Sequence, residues 1–155
     1  MREPNDRLRY LLFDLDSPSQ REDLPTALRE AAAFVLGESV RWEVRAPEAE
    51  VRLPETSRVL AYRIAKEAMV NVRKHAEAQS VVITVAEEGG GVCVTVQDDG
   101  RGLPPEGIVE RPGHRGVADM HDRAAIGGGW VRIEPGPERG TVVRVWLPAS
   151  ADPDR

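Results

Sequence analysis

Two strand-like runs separated by a glycine-rich turn constrain this chain more than any other feature. Ser80 to Ala86 (SVVITVA) and Val92 to Gln97 (VCVTVQ) flank Glu87-Glu88-Gly89-Gly90-Gly91. Glycine reaches positive φ without strain, as a hairpin turn demands, so the segment predicts two antiparallel strands. A second pair, Trp130 to Glu134 and Thr141 to Leu147, surrounds the Pro/Gly turn PGPERG. Ser39 to Arg45 (SVRWEVR) alternates apolar and polar residues, as a half-buried strand does.

Helical patterns are interleaved with these strands. One runs from about Leu24 to Leu36, with Asp23 placed to cap it, Pro25 in its first turn and Gly37 after its end. A longer one spans about Pro54 to Ala78, and a short one about Val117 to Ile126. The stretch from Asp98 to Gly116 is rich in Gly, Pro and charge and reads as a long loop. Helices alternating with late hairpins predict an α/β (α+β) two-layer sandwich, with helices on one face of a mixed sheet.

The chain has 155 residues, 41% of them hydrophobic and 30% charged, which is the balance of one globular domain. A net charge of −5 without a basic stripe argues against a nucleic-acid partner and against anionic membranes. No apolar run approaches the roughly 20 residues of a membrane helix. The single cysteine, Cys93, falls inside an apolar run, excludes an internal disulfide and reads as a packed residue, consistent with a reducing, cytoplasmic location.

Three segments carry candidate chemistry. In LAYRIAKEAMVNVRKHAEA, Leu60, Ile64, Ala68 and Val72 form an apolar stripe, while Glu67, Asn71, Lys74 and His75 share a polar one. Two readings are open for the polar stripe: a solvated helix face, or convergence on one ligand. The second suits a hydrated Mg2+ on a polyphosphate: Asn71 supplies a hard oxygen, Lys74 a charge for phosphate, and Glu67 a carboxylate to orient or deprotonate a nucleophile. Next, Asp98-Asp99-Gly100-Arg101-Gly102 follows a strand. A strand-end carboxylate can accept a hydrogen bond from an exocyclic amine, and glycines let a flat base lie close to the backbone. Finally, Gly113-His114-Arg115-Gly116-Val117 opens a helix whose N–H groups form an anion site, although a plain capped helix start reads the same way.

Taken in order, EAMVNVRKHAEA, DDGRG, GHRGVADMHDRA and GTVVRVWLP closely resemble the N, G1, G2 and Gly-Thr boxes of the GHKL ATPases. That superfamily contains gyrase, a heat-shock chaperone, the histidine kinases and mismatch-repair proteins. The detail is similar to sensor kinases of the nitrate-sensor and desaturase-sensor type, from about Ser39 to Pro148. The resemblance implies the Bergerat ATP-binding fold, with ATP and Mg2+ as cofactors. It implies that Asn71 ligates Mg2+, that Glu67 is the catalytic carboxylate and that Lys74 and His75 flank the phosphates. Asp98 would recognise the adenine amino group, with Gly100 and Gly102 shaping the pocket floor and Thr141 beneath the base. His114, Arg115, Gly116 and Val117 would edge a lid on the phosphate side.

Two departures qualify the resemblance. Gly-His-Arg-Gly stands before Val117 where the family has Gly-x-Gly. The phosphoacceptor histidine followed by an acidic residue on a dimerisation helix is missing, since His121-Asp122 lies on the short helix behind the lid. The reading is therefore an ATP-binding catalytic domain, residues 21–149, that transfers the γ-phosphoryl group to a histidine on another segment. Residues 1–20, with Leu8, Leu11, Leu12 and Leu15 at helical spacing, are similar to the last turns of a dimerisation helix, and 150–155 form a tail. The implied partners are that dimerisation and phosphoacceptor domain and, through it, a response regulator; the chain itself is expected to be a monomer. Two alternatives stand beside this one: a serine kinase of the anti-sigma-factor type, and a nucleotide-sensing module without transfer activity.

Overall fold

The structure, a computed structural model, describes residues 23–102 and 116–149. The remnant helix expected in 1–20, the tail at 150–155, most of the long loop, and His114 and Arg115 lie outside the described residues.

The elements are helix α1 (Leu24–Val35), strand β1 (Arg41–Arg45), helix α2 (Glu55–Asn71), a π-helical turn (Val72–Ala76), strands β2 (Ser80–Glu88) and β3 (Gly91–Asp98), helix α3 (Gly116–Ile126), and strands β4 (Trp130–Pro135) and β5 (Thr141–Pro148). Helix α1 starts where its cap predicts: the Asp23 carboxylate accepts from the Thr26 N–H at 2.9 Å. It ends at Gly37, whose φ of 59° is open to glycine, and the Gly37 N–H returns to the Ala32 carbonyl at 3.2 Å.

The hairpin turn is tighter than the five-residue spacer suggests. Glu88 pairs with Gly91, so only Gly89 and Gly90 remain in the turn, with φ of 57° and 75°. Two successive positive φ values match the twist of antiparallel strands. Gly91 is required for a different reason. A Cβ there would stand 2.3 Å from the Leu147 carbonyl oxygen and 2.6 Å from the Trp146 ring, so only glycine lets β5 close on β3 at this point.

The five strands form one mixed sheet in the order β1-β2-β3-β5-β4, with β1 parallel to β2 and every other pair antiparallel. Alternation along each strand then sorts the side chains. Val81, Ile83 and Val85 of β2, Val94 and Val96 of β3, and Val145 and Leu147 of β5 are buried in one cluster with Leu28 of α1, Ile64, Ala68 and Met69 of α2, and Met120 of α3. All three helices lie on that face, which makes the two-layer sandwich the sequence predicts.

The other face is finished by polar and aromatic side chains. Trp130 and Trp146 stack with centroids 6.5 Å apart, and the Arg132 guanidinium sits 4.4 Å above the Trp130 ring. Cys93 is buried as expected, but on this outer side of the sheet, paired across strands with Trp146, and it is not part of the helix-packed core. Burial pushes its thiol pKa up, consistent with a packing role.

Candidate ATP site

Helix α2 puts Ile64 and Ala68 into the core, with Leu60 half-buried at the same spacing, and Val72 at the start of the π turn is buried after them, as the apolar stripe predicts. Glu67 and Asn71, four residues apart on α-helical backbone, are both half-buried. The polar stripe does not continue regularly beyond them. A helix through Ala78 is the expectation, but the α-helix ends at Asn71 and the chain widens into the π turn that carries Lys74 and His75, both exposed. Rotation per residue changes in a π turn, so α-helical spacing no longer decides where these two side chains point.

Tertiary bonds account for the early end. Glu77 stands in the left-handed region with φ of 52°, turning the chain toward β2. The first residues of β2 are held from another part of the fold: the Asp99 carboxylate accepts from the Gln79 N–H at 2.8 Å, the Ser80 N–H at 2.9 Å and the Ser80 hydroxyl at 3.0 Å. These three bonds hold the Asp99 carboxyl below its usual range. The Arg73 guanidinium reaches back to the Ser39 hydroxyl at 2.5 Å, which in turn donates to the Leu36 carbonyl. A helix continued to Ala78 would break these connections.

Asp98 closes β3 and is 5% exposed. One carboxylate oxygen accepts from the Gly100 N–H at 2.8 Å, and the Thr141 N–H bonds it as well. Desolvation is the largest influence and pushes its pKa up; the two amide bonds act the other way, and the Asp99 charge adds to the rise. A carboxylate buried against neutral amides retains acceptor capacity and is poised for a further donor. Gly100 is buried in the turn below it, and Gly102 takes φ of 79° beside the Gly140 carbonyl. Gly140 has φ of 83°, and a Cβ on it would stand 1.9 Å from the Asp98 carbonyl oxygen. Only glycine brings the start of β5, and with it Thr141, against Asp98.

The structure thus brings Asp98, Gly100, Gly102 and Thr141 into one cradle of backbone. Gly116 and Val117 open α3, as expected, with Val117 half-buried. His121 is exposed on α3. Four residues absent from the expected site also build it: Asp99, Arg101, Arg139 and Gly140. Arg101 donates from Nε to the His75 carbonyl at 2.8 Å, and Arg139 from Nε to the Gly100 carbonyl at 3.1 Å. Gly140 was visible as the glycine of the Gly-Thr pair, but the arginines bond to carbonyls far away in sequence and leave no local signal.

Oxygen donors suit the expected cation. The described residues hold no group of three His, Cys, Asp or Glu side chains able to hold a metal ion. Asn71 supplies the hard amide oxygen that Mg2+ accepts.

This cradle sits on a mixed sheet covered by helices on one face, the architecture of a two-layer α/β domain. Residues 56–151 match the family described as histidine kinase-, DNA gyrase B-, and HSP90-like ATPase, and the chain belongs to it. It is 35% identical over 143 residues to the nitrate/nitrite sensor protein NarX of Escherichia coli, a match covering 90% of this chain and 23% of NarX. The signal transduction histidine-protein kinase/phosphatase UhpB of Salmonella typhimurium is 32% identical over 151 residues, covering 92% of this chain and 28% of UhpB. The chain thus spans about a quarter of the length of these curated relatives. In fold, it superposes on the ATP-binding domain of PrrB from Mycobacterium tuberculosis with a TM-score of 0.63 at 24% identity, over 84% of this chain and 96% of that one. The histidine kinase domain of the blue-light activated histidine kinase from Erythrobacter litoralis EL346 gives 0.66 at 21%, over 86% of this chain and 64% of that one. The chain is thus a domain of that ATPase family, similar in sequence to one quarter of two sensor kinases and in fold to the ATP-binding part of others.

Proposed function

We propose that this domain binds MgATP and transfers the γ-phosphoryl group to a histidine on the dimerisation segment of a longer parent kinase, which passes it to a response regulator. The observation that carries the reading is Asp98: a buried strand-end carboxylate, bonded to neutral amides and with capacity left for the adenine amino group. Gly100 and Gly102 line the base, and Thr141 shares the hydrogen-bond network of Asp98. Asn71 offers its amide oxygen to Mg2+, which when bound neutralises charge on the triphosphate. Lys74 and His75 flank the phosphates, and His114, Arg115, Gly116 and Val117 form the phosphate-side edge of the lid. Glu67 orients the acceptor imidazole and takes its proton as the phosphoryl group arrives.

In this reading residues 21–149 are the catalytic domain. The domain works on the cytoplasmic side, as a monomer when separate from its parent. Among the described residues no helix is long and apolar enough to cross a membrane. Titration with a fluorescent ATP analogue tests the reading. Mg2+-dependent binding competed by ATP is expected, and a chain that ignores adenine nucleotides overturns it.

A further inference from the structure

The Arg101 side chain links the loop after β3 to the π turn that follows α2. We propose that Arg101 is a positioning residue that locks the π turn carrying Lys74 and His75 to the loop carrying Asp98, so that the two halves of a nucleotide are gripped as a unit. The inference rests on the nucleotide reading above and assigns a role to a residue outside the expected site.

The last carbonyls of a helix have no partner within it. Here the helix ends in a π turn, and its His75 carbonyl accepts from Arg101 Nε at 2.8 Å. A guanidinium at a helix C-terminus also meets the negative end of the helix dipole. The second contact, from Arg101 to the Glu77 carboxylate at 3.9 Å, is made by side chains 62% and 78% exposed. At that exposure an ion pair contributes little, so the carbonyl bond is the effective one. The loop itself does not depend on Arg101. Asp99 ties it to the start of β2, Arg139 holds the Gly100 carbonyl, and Asp98 holds the Gly100 N–H. Removing Arg101 therefore loosens the π turn on its loop side, Arg73 still tying it to Ser39, and leaves the base cradle standing.

The consequence is selective. Arg101→Ala in the full chain should weaken MgATP binding by about threefold to tenfold while adenosine binding changes by less than about twofold. In a Lys74→Ala background the same substitution should cost much less, because the residue it positions is gone. Without nucleotide, hydrogen–deuterium exchange of the peptide covering residues 72–77 should speed up in Arg101→Ala. Equal losses for ATP and adenosine would overturn the proposal, as they would show damage to the whole cradle. So would unchanged exchange in the π turn, or an Arg101→Lys chain that regains ATP affinity while exchange stays fast, since both assign Arg101 a direct charge on phosphate. A wild-type chain that binds neither ligand would instead overturn the nucleotide reading itself, and this inference with it.

Discussion

Asp98 and Asp99 are neighbours with opposite electrostatics, and each makes a distinct prediction. Burial outweighs the amide bonds at Asp98, so its pKa rises and its charged form is a cost to the folded state at neutral pH. Asp98→Asn removes that cost and should raise the nucleotide-free Tm by a few degrees. The same change presents an amide donor to the adenine amine, and affinity for adenine nucleotides should fall by roughly tenfold to a hundredfold. Thermal melts and a nucleotide titration on one pair of proteins check both, and unchanged affinity would remove Asp98 from the base site. Asp99 runs the other way. Its folded pKa is depressed by Ser80 and Gln79, so its contribution is present above the ordinary aspartate value of 3.8 and is lost as pH falls through the folded value. Asp99→Ala should therefore lower the Tm at pH about 7, and the gap to wild type should narrow as pH falls below 3.8. Gly140→Ala is the harsher change. A Cβ 1.9 Å from the Asp98 carbonyl oxygen, at φ of 83°, forces β5 away, and a loss of about 2 kcal/mol or more in urea unfolding is expected.

At the level of elements, the helices and strands differ in how much of their extent is local. Helix α1 is local throughout: cap, first-turn proline and terminal glycine all stand in the sequence where the structure uses them. Asp23→Ala should accordingly cost about 1 kcal/mol in urea unfolding, and no measurable cost would show that tertiary packing alone sets the start. Helix α2 is local only up to Asn71. Its remaining residues carry a helical pattern, yet Glu77 turns left-handed and the turn at 72–76 widens. The deciding bonds come from Arg101, Asp99 and Ser39, which lie 26, 20 and 34 residues from His75, Gln79 and Arg73 respectively. No window of sequence around residue 75 contains them. The β2–β3 turn shows the converse, a glycine run longer than the turn that uses it, because Gly91 is needed for close packing of β5 and not for the bend.

For the whole molecule, the expected chemistry requires an acceptor delivered from elsewhere. Of the histidines, His75 lies on the π turn beside the proposed phosphates and His121 is exposed on α3, with no acceptor motif on either. Incubated alone with radiolabelled ATP, the chain should acquire no acid-labile label. Added together with the dimerisation segment of its parent, it should transfer label to that segment, and Asn71→Asp should impair the transfer by altering Mg2+ coordination. Acid-labile label on the chain alone would contradict the positional argument, and acid-stable label on a partner serine would favour kinases of the anti-sigma-factor type.

The sequence by itself determined the sandwich, the approximate position of every described strand and helix, and the order of Glu67, Asn71, Asp98, Gly100, Gly102 and Thr141 along the chain. Those features rest on periodicity, turn glycines and ordered motifs, which are local and survive translation into a string of letters. Only the tertiary structure decided the end of α2, the placement of Cys93 outside the helix-packed core, and the joining of the loop after β3 to the π turn through Arg101. Each of these depends on a bond or a packing contact between residues far apart in the chain, whose strength comes from burial and geometry that no single segment encodes.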